Sequence, residues 1–120
     1  MEYLSVGIGG AIGAMLRFGV GNVVDKPSSG FPLATFIVNV LGAFCIGLIA
    51  AIAVKYGADN SNIVLFFKTG ICGGSTTFST FSLESVGLLS AGKWPLALTY
   101  MCLSLIVCVI AIVLAQSLVK

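Results

Sequence analysis

Apolar residues run along this chain in long blocks, without the strict alternation of a half-buried strand. Leu33 to Val54 holds no charged residue, and neither does Pro95 to Val119. About 20 helical residues cross a hydrocarbon core, so each block predicts a membrane-spanning helix. Leu4 to Val24 predicts another, interrupted only by Arg17. A further segment, from about 62 to 92, carries Lys68 and Glu84. Turn formers fill the gaps: Asp25-Lys26-Pro27-Ser28-Ser29-Gly30, Lys55-Tyr56-Gly57-Ala58-Asp59-Asn60 and Ala91-Gly92-Lys93. Pro32 and Pro95 stand where a first helical turn would begin, a position that tolerates a missing N–H. The expectation is an all-α integral membrane protein of one domain, 1–120, with four spans at about 4–24, 32–55, 62–92 and 95–118.

The third span is too long for one upright helix. About 31 residues would run roughly 46 Å, against a core of ~30 Å. In its middle lies Gly70-Ile71-Cys72-Gly73-Gly74-Ser75-Thr76-Thr77-Phe78-Ser79-Thr80-Phe81-Ser82. Glycines beside clustered hydroxyls are where a membrane helix can unwind, provided the freed backbone is buried in protein or lines a wet cavity. Two half-helices around a break near 73–77 are therefore expected. The alternative is a tilted continuous helix with a hydroxyl-rich packing face.

Charge sharpens the class. Only 8% of residues are charged, against about 25% in soluble domains. An ordinary cytosolic enzyme, a nucleic-acid binder with a basic face and a disordered segment are all excluded. The opening Met-Glu-Tyr lacks the basic start of a cleavable signal, so the first block is expected to remain as a span. Four spans put Lys55, Lys120 and Lys68 toward one side and Lys26 and Lys93 toward the other. The positive-inside rule then gives almost no bias. Insertion in both orientations, with antiparallel pairing, is one consequence; the other reading is a topology set by factors outside the charge count. Small residues (Gly9, Gly10, Gly13, Ala14 and Gly21; then Gly42, Ala43 and Gly47) let membrane helices approach closely, and their abundance predicts an oligomer.

Several polar residues sit at membrane depth. Asn39 lies deep in the second span, one turn after Thr35; it is either an interhelical hydrogen bond or part of a pathway. Tyr100, Ser104 and Cys108 fall on one helical face at i, i+4 and i+8. Arg17 either faces a water-filled cavity or snorkels to the interface. Glu84 reaches either a vestibule or the interface, and Lys68 is expected at the interface. Phe78 and Phe81 share a face among serines and threonines; such a pair is normally core, yet the positive edge of a ring can solvate an anion. There is no His, and Cys45, Cys72, Cys102 and Cys108 lack Cys-x-x-Cys spacing. With no carboxylate pair close in sequence and no phosphate-binding loop, no enzyme is expected.

Gly73-Gly74-Ser75-Thr76-Thr77-Phe78-Ser79-Thr80-Phe81 followed by Glu84 resembles the signature of the small bacterial fluoride channels called Fluc or CrcB. Gly9-Gly10-Ala11-Ile12-Gly13-Ala14-Met15-Leu16-Arg17-Phe18 and Thr35-Phe36-Ile37-Val38-Asn39-Val40-Leu41-Gly42 fit that family too, so the resemblance covers essentially the whole chain. It implies an antiparallel, dual-topology homodimer in the bacterial cytoplasmic membrane, with two pores for passive fluoride export and hence fluoride resistance. It further implies that Phe78 and Phe81 turn ring edges to fluoride and that Asn39 is an amide donor. Ser79 and Thr80 would add hydroxyls, Tyr100 and Ser104 the polar track, and Arg17 the vestibule. Cys108 departs from the serine expected in that track, and thiols donate weakly. Backbone carbonyls of Gly73 and Thr76 from both subunits would hold a structural Na⁺ on the dimer axis. Two rivals stand beside this reading. A small multidrug transporter would need a carboxylate in its first span, where Arg17 stands; a non-transporting membrane subunit would give no flux alone.

Overall fold

The computed structural model describes residues 2–25, 27–57, 61–75 and 78–119, and among these every regular element is a helix. Helix α1 is Glu2–Val23, α2 is Leu33–Lys55 and α5 is Trp94–Val119. These three are long and apolar enough to cross a membrane. Between α2 and α5 the described residues give two shorter helical stretches, on either side of 76 and 77. In α3, a turn at Asn62–Val64 runs into a π-helix at Leu65–Cys72 and then a turn at Gly73–Ser75. Helix α4 is Phe78–Ser90. Of the expected break, Gly73–Ser75 is helical; Thr76 and Thr77 lie outside the described residues.

The local chemistry accounts for these boundaries. Ser61 caps α3, its Oγ accepting the Val64 N–H at 3.2 Å. Pro32 is the N-cap of α2, and Pro95 lies in the first turn of α5, where a missing donor leaves no bond unmade. Gly92 ends α4 in the left-handed region at φ +77°. Its N–H reaches the Leu89 carbonyl at 3.1 Å and the Lys93 N–H reaches Leu88 at 2.9 Å, a Schellman arrangement that lets α5 start at the next residue.

Glycines decide how the helices cross. A Cβ at Gly70 would lie 2.8 Å from the Gly9 Cα, and one at Gly74 would lie 2.7 Å from the Gly10 carbonyl oxygen. A Cβ at Gly9 or Gly13 would meet the carbonyl oxygens of Phe66 and Ile71. Backbone meets backbone along this α1–α3 seam, and the π-helix lies within it. Gly47 does the same for α2 against α5, 3.1 Å from the Ile112 Cα. Much of the small-residue surface read above as oligomer contact is therefore used inside one chain, while Gly21 faces open space.

Two lysines mark the ends of the bundle. Lys55 Nζ donates to the Val119 carbonyl at 3.2 Å, and Lys93 Nζ donates to the Ser29 carbonyl at 3.1 Å. The C-terminal ends of α2 and α5 thus share one edge, and the α1–α2 and α4–α5 connections share the other. α3 packs chiefly on α1 and α2, whereas α4 packs chiefly on α5. The accessible surface is 7235 Å², against about 6,100 Å² for a compact chain of this mass.

Candidate functional site

Three helices meet on one carboxylate. Thr35 Oγ1 of α2 donates to Glu84 Oε2 at 2.9 Å, and the Tyr100 hydroxyl of α5 donates to Glu84 Oε1 at 3.0 Å. A carboxylate at membrane depth is costly without such donors; here each oxygen has one. Tyr100 is fully buried, in a cluster with Leu88 and Ala97. Its ring stands edge-on to Phe31 at 5.4 Å and tilted against Phe81 at 5.0 Å. Tyr100 therefore joins the carboxylate to the aromatic pair. Tyr100→Phe keeps the ring packing and deletes one donor. We expect a loss of about 1.5–3 kcal/mol in thermal unfolding in detergent, against no change for Tyr56→Phe at an exposed ring. Equal effects of the two changes would reduce the Glu84 bond to incidental contact.

Two of the molecule's cavities flank this junction. The larger, about 520 Å³, opens at the connection end and is lined by Arg17, Asn22, Asp25, Thr35, Thr80 and Glu84, among others. Arg17 Nε is buried and, among the described residues, has no hydrogen-bond partner. The second, about 330 Å³, lies deeper along the bundle, where Asn39, Phe78, Phe81, Ser104 and Cys108 share a wall with Gly42 and Ala43. Its donors are neutral.

Ser104 is the informative member. A hydroxyl in an apolar helix normally bonds back to the carbonyl one turn earlier. Ser85, Thr99 and Ser117 do so, to Phe81, Pro95 and Val113, each at 2.8 Å. Ser104 Oγ does not, and among the described residues it is buried without a partner. Phe78 and Phe81 stand with ring centroids 5.7 Å apart, and Phe78 is 77% exposed, so the cavity is open on its side.

The site residues read from the sequence are thus divided. Asn39, Phe78, Phe81, Ser104 and Cys108 share one cavity; Arg17 and Thr80 line the other; Tyr100 is buried between them. Ser79 is exposed and lines neither. Gly73 is exposed in the last turn of α3, and Thr76 lies outside the described residues. The sequence reading left Glu84 without a partner and gave Thr35 no role. The available signals were the placement of Glu84 one helical turn after Phe81 and of Thr35 one turn before Asn39.

A family model described as CrcB-like protein, Camphor Resistance (CrcB), matches residues 4–116, which include every residue of both cavities. The chain belongs to the CrcB family. Among CrcB-family relatives, the chain is 44% identical over 121 residues to the fluoride-specific ion channel FluC of Ruminiclostridium cellulolyticum, covering 100% of this chain and 93% of that one. It is 41% identical over 116 residues to the FluC of Azobacteroides pseudotrichonymphae, covering 96% and 93%. The FluC of Thermus thermophilus is 43% identical over 100 residues, covering 82% and 79%. The resemblance read from the three motifs is borne out. The apolar helices and this kinship make the CrcB chain a multi-pass membrane protein rather than an enzyme.

Proposed function

We propose that this chain is a fluoride-selective ion channel, the activity named for its relatives along nearly its full length. The observation that carries the reading is the deeper cavity. Asn39, Ser104 and the rings of Phe78 and Phe81 line it, and no charged residue does. A small, strongly hydrated anion must exchange water for protein donors and still leave; conduction needs sites that bind weakly enough to release. Neutral donors meet that condition.

The complete assembly in this proposal is an antiparallel homodimer in the bacterial cytoplasmic membrane, with α3 and α4 together making the remaining crossing. It exports fluoride passively through two pores. Exposed Phe78 beside an open cavity supports a pore wall finished by the second copy, and the near-even lysine count supports insertion both ways. A structural Na⁺ on the dimer axis belongs to the same proposal. Gly73, the described member of the expected carbonyl pair, is exposed, as a site shared with a second copy requires.

Fluoride efflux from liposomes holding only this protein tests the proposal. Fluoride-electrode traces should show rapid efflux with little chloride flux. Absent fluoride flux would sink the channel reading, and drug-dependent proton flux in its place would favour the multidrug transporter. Replacing all Na⁺ with N-methylglucamine should lower the flux; indifference would remove the cation.

A further inference from the structure

Four cysteines lie on these helices, and one differs from the rest in what it faces. Cys45 and Cys102 are exposed on the outer surface of the bundle and Cys72 is buried within α3. Cys108 is half-buried and lines the deeper cavity, one helical turn beyond Ser104 on the same face of α5. Ser104, which lines the same cavity, is only 6% exposed, and among the described residues its buried Oγ has no hydrogen-bond partner. Phe78, 77% exposed, leaves that cavity open on one side, so small solutes can enter it. At about 330 Å³ it has many times the roughly 15 Å³ that one water requires.

We infer that Cys108 is a modification site for small uncharged thiol-reactive electrophiles, and that a group attached there fills the cavity and closes it to anions. The chemistry around the thiol supports this. Asn39 and Ser104 are hard polar groups, whereas the Cys108 sulfur is soft and is the one thiol among the described residues on this wall. With methyl methanethiosulfonate the step balances simply. The Cys108 thiol gives its proton to buffer and its sulfur attacks the sulfenyl sulfur of the reagent. A new S–S bond forms, the reagent's own S–S bond breaks, and methanesulfinate leaves. The product carries a methylthio group projecting between Ser104 and the phenyl pair. A thiol reductant removes it and restores Cys108.

The loss of flux rests on the channel reading; the adduct does not. The test uses the full chain in liposomes, with Cys45→Ala and Cys102→Ala removing the outward-facing thiols. Methyl methanethiosulfonate should cut fluoride efflux at least tenfold, dithiothreitol should restore it, and peptide mass analysis should place the methylthio group on Cys108. Adding Cys108→Ser should make treated and untreated rates equal, whatever the rate itself. An adduct on Cys108 with unchanged flux would overturn the inference. So would loss of flux that tracks Cys72, or absence of any adduct on Cys108. Should untreated vesicles show no fluoride flux, the proposed function fails on its own; the adduct at Cys108 is still required, and its absence then refutes the site independently.

Discussion

Gly70→Val should leave no correctly assembled protein. Even a bare Cβ at this position would lie 2.8 Å from the Gly9 Cα and 3.1 Å from the Val6 carbonyl oxygen. Both are backbone atoms of α1, so neither can swing aside as a side chain would. Valine adds two further methyls, and the helices can accept them only by separating. That separation would also open the neighbouring Gly10–Gly74 contact, where a Cβ already meets the Gly10 backbone at 2.7 Å. Overpacking usually costs about 1–3 kcal/mol where side chains can repack. Here the seam itself is lost, and the penalty approaches the ~5–15 kcal/mol that holds a whole domain together. Gly7→Val is the matched control, because nothing lies within 4 Å of a Cβ there. Size-exclusion profiles and thermal unfolding in detergent should show aggregation or loss of the transition for Gly70→Val and near-normal behaviour for Gly7→Val. Two indistinguishable profiles would mean that the α1–α3 seam does not hold the fold.

What was legible in the sequence follows from the range of each signal. The α2 and α5 helices announce themselves because a charge-free block of span length has few alternatives in any solvent, and α1 does so with Arg17 as the one charge inside its apolar block. The Ser104–Cys108 relation was also readable, since i and i+4 positions share a helical face without reference to any other element. The π-helix at Leu65–Cys72 left no such trace: eight residues with Lys68 and Thr69 as the polar members are too short a pattern to tell a widened turn from an ordinary one. Glycine spacing showed that helices would meet but not which ones. Gly9 and Gly70 are far apart in the chain, and their pairing exists only once α3 lies on α1.

The hydroxyl string around Phe78 shows the same limit from the other side. Successive helical residues point about 100° apart, so Phe78, Ser79 and Thr80 cannot serve one cavity together. Phe78 lines the deeper cavity, Thr80 the vestibule-like one, and Ser79 neither. Glu84 was hard to place for a different reason. Its hydroxyl partners Thr35 and Tyr100 lie 49 and 16 residues away, on two different helices, and no periodicity links them.

Asn39→Asp should abolish fluoride conduction while leaving the fold in place. Asn39 is half-buried in α2 and lines the cavity with Ser104 and the phenyl pair. Aspartate has nearly its shape, so the packing against Gly42 and Ala43 has no reason to change. Two electrostatic changes act together. The amide N–H₂ donor disappears, and an ionised carboxylate faces the incoming anion. Two like charges about 4 Å apart repel by about 4 kcal/mol at an effective dielectric of about 20. At 1.36 kcal/mol per decade, that is roughly a thousandfold drop in fluoride occupancy and hence in flux. Asn39→Leu separates the two contributions, since it removes the donor and adds no charge. Losing one hydrogen bond to an anion, about 1.5–3 kcal/mol, should lower flux by about ten- to a hundredfold. The order wild type, then Asn39→Leu, then Asn39→Asp, at constant elution volume in detergent, is what a neutral-donor pathway requires. If both variants conduct at the original rate, Asn39 is a helix-packing amide and the anion passes elsewhere.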